Sequence, residues 1–201
     1  MAIAQEKKSR KRESIMDAGF DLFLANGVEV TSIDDIVRRA GIAKGTFYLY
    51  FKNKYELLEQ VILRQGSEVL RSAFEFLREK MRLRPMTADD MTLCFTSYLV
   101  DFLAGHKALA RLIRNNLSIG LFFMDQFNDP ELSHLMEAML GMVTDVSADR
   151  EQTRRALYLV VSMVGSVCCD AILYGKPYTL EEIKPMLYRT VLKMGKLNWA
   201  E

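Results

Sequence analysis

Residues 31–50 read TSIDDIVRRAGIAKGTFYLY, and their punctuation decides the local fold. Thr31 and Ser32 each stand three residues before an aspartate, Asp34 and Asp35. A hydroxyl followed by first-turn acid is the grammar of a helix start, because the side chain caps free backbone N–H groups and the carboxylate suits the positive end of the helix dipole. Ile33, Ile36, Val37 and Ala40 continue that helix to Gly41, where a residue free to take positive φ can turn the chain. A second, short helix is expected from about Ala43 to Tyr50. Ile36, Val37, Ile42 and Phe47 would form the small core between the two, and Lys44, Gly45, Thr46, Tyr48 and Leu49 would face outward. A cation, a small residue, a hydroxyl and an amphipathic ring on a short exposed helix suit a DNA major groove about 12 Å wide.

Working outward, Ile15, Gly19, Leu22 and Phe23 form a helical stripe that ends at Asn26-Gly27, so a helix is expected from about Lys8 to Ala25. Asn53 can cap a long helix carrying Tyr55, Leu58, Ile62, Val69, Phe76 and Met81, which must stop before Pro85. Thr87 before Asp89 and Asp90 opens another, which runs to Gly105. Asp129-Pro130 starts a helix with Leu132, Leu135, Met136, Met139 and Leu140 on its apolar face. Ser147 or Asp149 opens one that Gly175 closes after Tyr174, and Thr179 with Glu182 forms a capping box for the last. No strand and no internal repeat emerges, so the fold class is all-α.

The chain has 201 residues, half of them hydrophobic, with 11 glycines and 4 prolines. That composition excludes a disordered chain and disfavours a turn-rich sandwich. A net charge of +1 argues against a nucleic-acid partner only if it is evenly spread. It is not: residues 1–54 carry +3 and the remaining 147 carry −2, with five basic residues between Lys7 and Arg12. The longest run without a charge, Ala156–Cys169, has 14 residues, short of the roughly 20 a membrane span needs. With no apolar segment near the N-terminus and an odd set of cysteines, Cys94, Cys168 and Cys169, a cytoplasmic protein with reduced thiols is expected.

The stretch Glu13–Leu58, with Ile15, Ala18, Leu22, Phe23, Gly27, Thr31, Ser32, Ile36, Ala40-Gly41-Ile42, Lys44-Gly45-Thr46, Phe47-Tyr48, Tyr50-Phe51, Asn53-Lys54 and Leu57, resembles the N-terminal DNA-binding domain of the tetracycline-repressor-like (TetR) transcriptional regulators. The resemblance implies a three-helix DNA-binding domain over residues 1–54. A long helix would join it to a helical effector-binding and dimerisation domain over 55–201. It further implies that Thr31 or Ser32 meets phosphate and that Lys44, Gly45, Thr46 and Tyr48 face the groove. Tyr48 or Tyr50 would touch backbone, and Lys54 would bind phosphate. Leu49 replaces the polar residue common there and suits an apolar contact such as a thymine methyl. Gly19, where the family often has alanine, costs helix propensity of about 1 kcal/mol.

One recognition helix reads few base pairs, so a homodimer on a palindromic operator is expected. The last two helices are apolar on wide faces, and the resemblance implies that they pair between subunits through Val160, Val164, Val167, Ile183, Leu187 and Val191. Aromatic and thioether side chains crowd the middle of the chain, and methionines repack around varied shapes. An effector pocket for an apolar or amphipathic small molecule is expected among Phe74, Phe95, Tyr98, Phe102, Phe122, Met136, Met139, Tyr158 and Ser162. The family resemblance implies a repressor that ligand releases. Neither a cofactor nor a metal is called for. Glu131-x-x-His134-x-x-Glu137 lacks further ligands, and there is no phosphate loop, nucleophile elbow or paired-cysteine motif. Catalysis is not expected.

Overall fold

The computed structural model describes residues 2–114 and 150–194, and within them every regular element is an α-helix. In chain order these are α1 (Ala2–Asn26), α2 (Ile33–Ala40), α3 (Lys44–Tyr48), α4 (Lys54–Leu83), α5 (Ala88–Gly105), α6 (Lys107–Ile113), α7 (Arg150–Tyr174) and α8 (Leu180–Met194). The helix expected from Asp129-Pro130, with the Glu131–Glu137 cluster, lies outside the described residues. No helix among the described residues is long and apolar enough to cross a membrane.

The chain divides into two compact units, residues 1–65 and 66–201. In the first, α1 packs across α2, and α2 across α3. Ile15, Ile36, Phe47, Leu57 and Val61 are fully buried there, with Phe51 almost so. The stripe read from α1 is therefore its core face. Gly19 faces Leu57 of α4: a Cβ built on it would stand 2.7 Å from Leu57 Cδ2. The glycine that weakens α1 as an isolated helix thus lets a fully buried leucine seat against it.

In the second unit, the C-terminal half of α4 meets α5 through Ala73, Phe74 and Phe95, with Leu70, Tyr98 and Leu99 around them. α7 packs against α5, α6 and α8, and α8 also meets α5. Lys184 of α8 reaches Asp101 of α5 at 2.6 Å. Cys168 and Cys169 are fully buried on α7. Burial pushes the Cys168 thiol up to about 12 and the Cys169 thiol to about 11, so both stay protonated at neutral pH and are poor nucleophiles.

Candidate nucleic-acid interface

The turn from α2 into α3 is built from backbone rules. Ser32 caps α2: its Oγ accepts from Asp35 N at 3.1 Å while its own N–H donates to the Asp35 carboxylate. Hydrogen bonds from Ser32 favour the ionised form of Asp35 and hold its pKa below the usual carboxylate range. At the other end Gly41 takes φ 66°, and its N–H donates to Arg38 O. Ile42 N–H then returns to Val37 O at 3.0 Å, closing the helix and redirecting the chain into α3.

α3 is anchored by one side chain. Phe47 is fully buried against Phe51, with ring centroids 5.8 Å apart. Lys44, Gly45, Tyr48 and Leu49 are all exposed. Their i, i+1, i+4, i+5 spacing puts them on one side of the helix axis. Tyr48 is 52% exposed and Leu49 78%, unusual for large apolar residues and consistent with a surface made to be covered. Lys44 forms a 2.9 Å ion pair with Asp34 across the turn, and that bond raises the lysine's pKa. Both partners are more than half exposed, so water already screens the pair and a phosphate can replace the carboxylate at little cost. Thr46 and Tyr50 are half-buried at the margins of this face.

Two expected phosphate contacts are placed differently. Thr31 is buried, and its hydroxyl donates to Gly27 O at 2.8 Å, which turns it into the loop; Ser32 beside it is exposed. The Lys54 ammonium donates to three carbonyls of the same loop, Val28 at 2.8 Å, Glu29 at 2.9 Å and Thr31 at 3.2 Å. It therefore ties the start of α4 to the segment that leads into α2. Lys54→Met, which keeps the aliphatic stem, is expected to lower stability by about 1–2 kcal/mol by orphaning these carbonyls. Thermal unfolding followed by circular dichroism measures this, and an unchanged midpoint would remove the structural role. Arg12 is a contributor not read from the sequence. It donates to Gln60 Oε1 at 2.8 Å and its guanidinium lies 5.5 Å from the Phe51 ring centroid, bracing α1 against α4.

In the second unit, the expected pocket residues separate. Phe74 and Phe95 are buried against each other, 5.1 Å between centroids. Tyr98 and Phe102 are half-buried and stack 6.3 Å apart, with Phe76 against Tyr98 and His106 against Phe102. The Ser162 hydroxyl oxygen is buried with no hydrogen-bond partner among the described residues. Phe122, Met136 and Met139 lie outside the described residues, as does the side chain of Tyr158. Of the expected dimer residues, Val167 and Ile183 are half-buried, and the side chains of Val160 and Val164 lie outside the description. Leu187 and Val191 are already buried within the single chain, at 4% and 5% exposure. Among the described residues, the large apolar side chains exposed on α7, α8 and their connection are Leu159, Tyr174, Tyr178 and Met186.

A short helix carrying exposed residues on a buried phenylalanine, after a glycine turn and a capped helix, is a helix-turn-helix. Known proteins agree. Residues 15–61 match the family model of bacterial regulatory proteins of the tetR family. The fatty acid metabolism regulator protein of Bacillus subtilis (strain 168) is 30% identical over 140 residues, 70% of each chain. The regulator BetI of Cronobacter sakazakii is 25% identical over 186 residues, 88% of this chain and 86% of its own. Among solved structures, the regulator FadR from Bacillus subtilis in complex with stearoyl-CoA superposes with TM-score 0.55 at 19% identity. The match covers 90% of this chain and 98% of that one. The chain belongs to the tetR family of bacterial transcriptional regulators: it is a DNA-binding regulator and not an enzyme.

Proposed function

We propose that this regulator is a repressor that binds a palindromic operator as a homodimer and is released by a small apolar or amphipathic effector. Residues 1–54 would bind DNA and 55–201 would hold the effector and the partner subunit. The observation that carries the reading is the exposed side of α3, where Lys44, Gly45, Tyr48 and Leu49 stand clear of a core closed by Phe47. Thr46 and Tyr50 border that surface, and Ser32 presents a hydroxyl and backbone N–H groups at the start of α2, a place suited to phosphate.

A long-chain acyl thioester is the effector to test first. A relative is named for fatty acid metabolism, and a protein of the same fold holds stearoyl-CoA. The half-buried Tyr98 and Phe102 supply an apolar surface of the kind such sites use, and the buried, unpartnered Ser162 hydroxyl is a candidate polar anchor. Selection of bound fragments from a genomic pool by the full-length protein is expected to yield one dyad-symmetric site. Its half-sites should stand about one DNA turn, ~34 Å, or a little more apart. Stearoyl-CoA added to that complex is expected to weaken it at least tenfold. Recovery of DNA without symmetry would refute the homodimeric operator, and a complex indifferent to stearoyl-CoA would refute the acyl effector.

A further inference from the structure

We infer that the exposed lysines Lys7, Lys8 and Lys11 on the N-terminal part of α1 form a second DNA-contacting element, which grips the phosphate backbone beside the segment read by α3. The inference rests on the DNA-binding reading above and extends it to a surface that the helix-turn-helix does not include.

The cluster of five basic residues between Lys7 and Arg12 is sorted by the fold. Arg12 is turned to Gln60 and Phe51, and Arg10 pairs with Glu6 at 2.6 Å. Lys7, Lys8 and Lys11 are exposed, and none enters an ion pair among the described residues. The acids of the same stretch are occupied, Glu6 by Arg10 and Glu13 by Arg64 at 2.9 Å. The charge left facing solvent is positive.

Helical geometry fixes where it faces. At 100° per residue Lys7, Lys11 and Lys8 fall within an arc of about 100°, and Ser14, seven residues after Lys7, lies on the line of Lys7 and Lys11. The Ser14 hydroxyl donates to Ala40 O at 3.3 Å, at the last residue of α2 and one residue before the Gly41 turn. Lys7 and Lys11 therefore stand on the side of α1 that meets the turn into the recognition helix. At 1.5 Å per residue they lie about 4–11 Å further along its axis. The helix that carries them begins at Ala2, so the lysines sit on helical backbone. A helical cationic stripe on the side of α1 that meets a DNA-reading turn fits the backbone of the same duplex, which presents one charge per about 1.7 Å of axis.

The test compares wild type with the triple variant Lys7→Gln, Lys8→Gln, Lys11→Gln. Glutamine matches lysine in helix propensity, and far-UV circular dichroism confirms the fold. Binding to a duplex bearing the selected site and to a mixed-sequence duplex is titrated across salt. Each lost phosphate contact should flatten the slope of log K against log salt by about 0.9, so two copies of the arm should lose roughly 2–5 units on both duplexes. Backbone protection should shorten at the flanks of the footprint. The triple arginine variant should keep both slope and protection. An unchanged slope and footprint in the glutamine variant, with wild type binding normally, would overturn the arm alone. Wild type that bound neither duplex would overturn the DNA-binding reading with it.

Discussion

Replacing Phe47 with alanine is expected to abolish DNA binding and to destabilise the residue 1–65 unit by about 3–5 kcal/mol, the usual cost of a buried phenylalanine. Phe47 is fully buried, and it is the one such side chain contributed by the five-residue α3. A helix this short has no stability of its own, since nucleation outweighs the bonds it gains. Its position is set by where Phe47 seats, beside Phe51 in the buried core of this unit. A unit of this size is stable by roughly 3–10 kcal/mol, so the loss removes much of it. The smaller truncation Phe47→Leu, which keeps an apolar side chain in the site, should cost less, about 1–2 kcal/mol, and leave measurable binding. Thermal melts and operator titrations read both effects. An alanine variant that melted and bound like wild type would show that α3 is held by something other than its ring.

The elements that could be read from the sequence are those whose determinants are local. Ser32 with Asp35, Thr87 with Asp90 and Thr179 with Glu182 each close a capping box as their three-residue spacing requires. Gly41 and Gly175 take φ 66° and 59° where the helices were expected to stop. α6 was not anticipated, because His106 precedes it without a side-chain cap and its seven residues give no periodicity to read. α1 begins at Ala2 rather than near Lys8, since a charged turn lacks the apolar stripe that marks a helix yet propagates readily from one already formed. The exposed face of α3 was legible for the same reason its buried face was. The inward turn of Thr31 and the three carbonyls on Lys54 were not, because they depend on how the loop after α1 folds back, onto the end of α1 for Thr31 and onto the start of α4 for Lys54. Nor could apolar content alone say which side of α8 meets its own chain.

That last ambiguity leads to the expectation that Met186→Asp separates the proposed homodimer and weakens binding to the proposed operator by at least about 100-fold. α8 buries Leu187 and Val191 within its own chain, while Met186 is 62% exposed on the same helix. Tyr174 at 54% and Tyr178 at 57% stand exposed at the end of α7 and in the connection to α8. Large apolar side chains left in water around one helix pair are what an isologous contact would cover. An aspartate at position 186 costs the single chain little, because the residue it replaces is in solvent. At a two-fold interface it would bury an unpaired carboxylate from each subunit. Without the dimer, each recognition helix must find its half-site alone, and the linkage that multiplies affinity by about 10²–10⁴ is lost. Sedimentation velocity should show a folded monomer with the wild-type melting profile of its helices, and titration should show weak binding with little preference for the dyad site. A Met186→Asp protein that sediments as a dimer would move the interface off this face of α8. A monomer that keeps full operator affinity would mean that a single helix-turn-helix suffices.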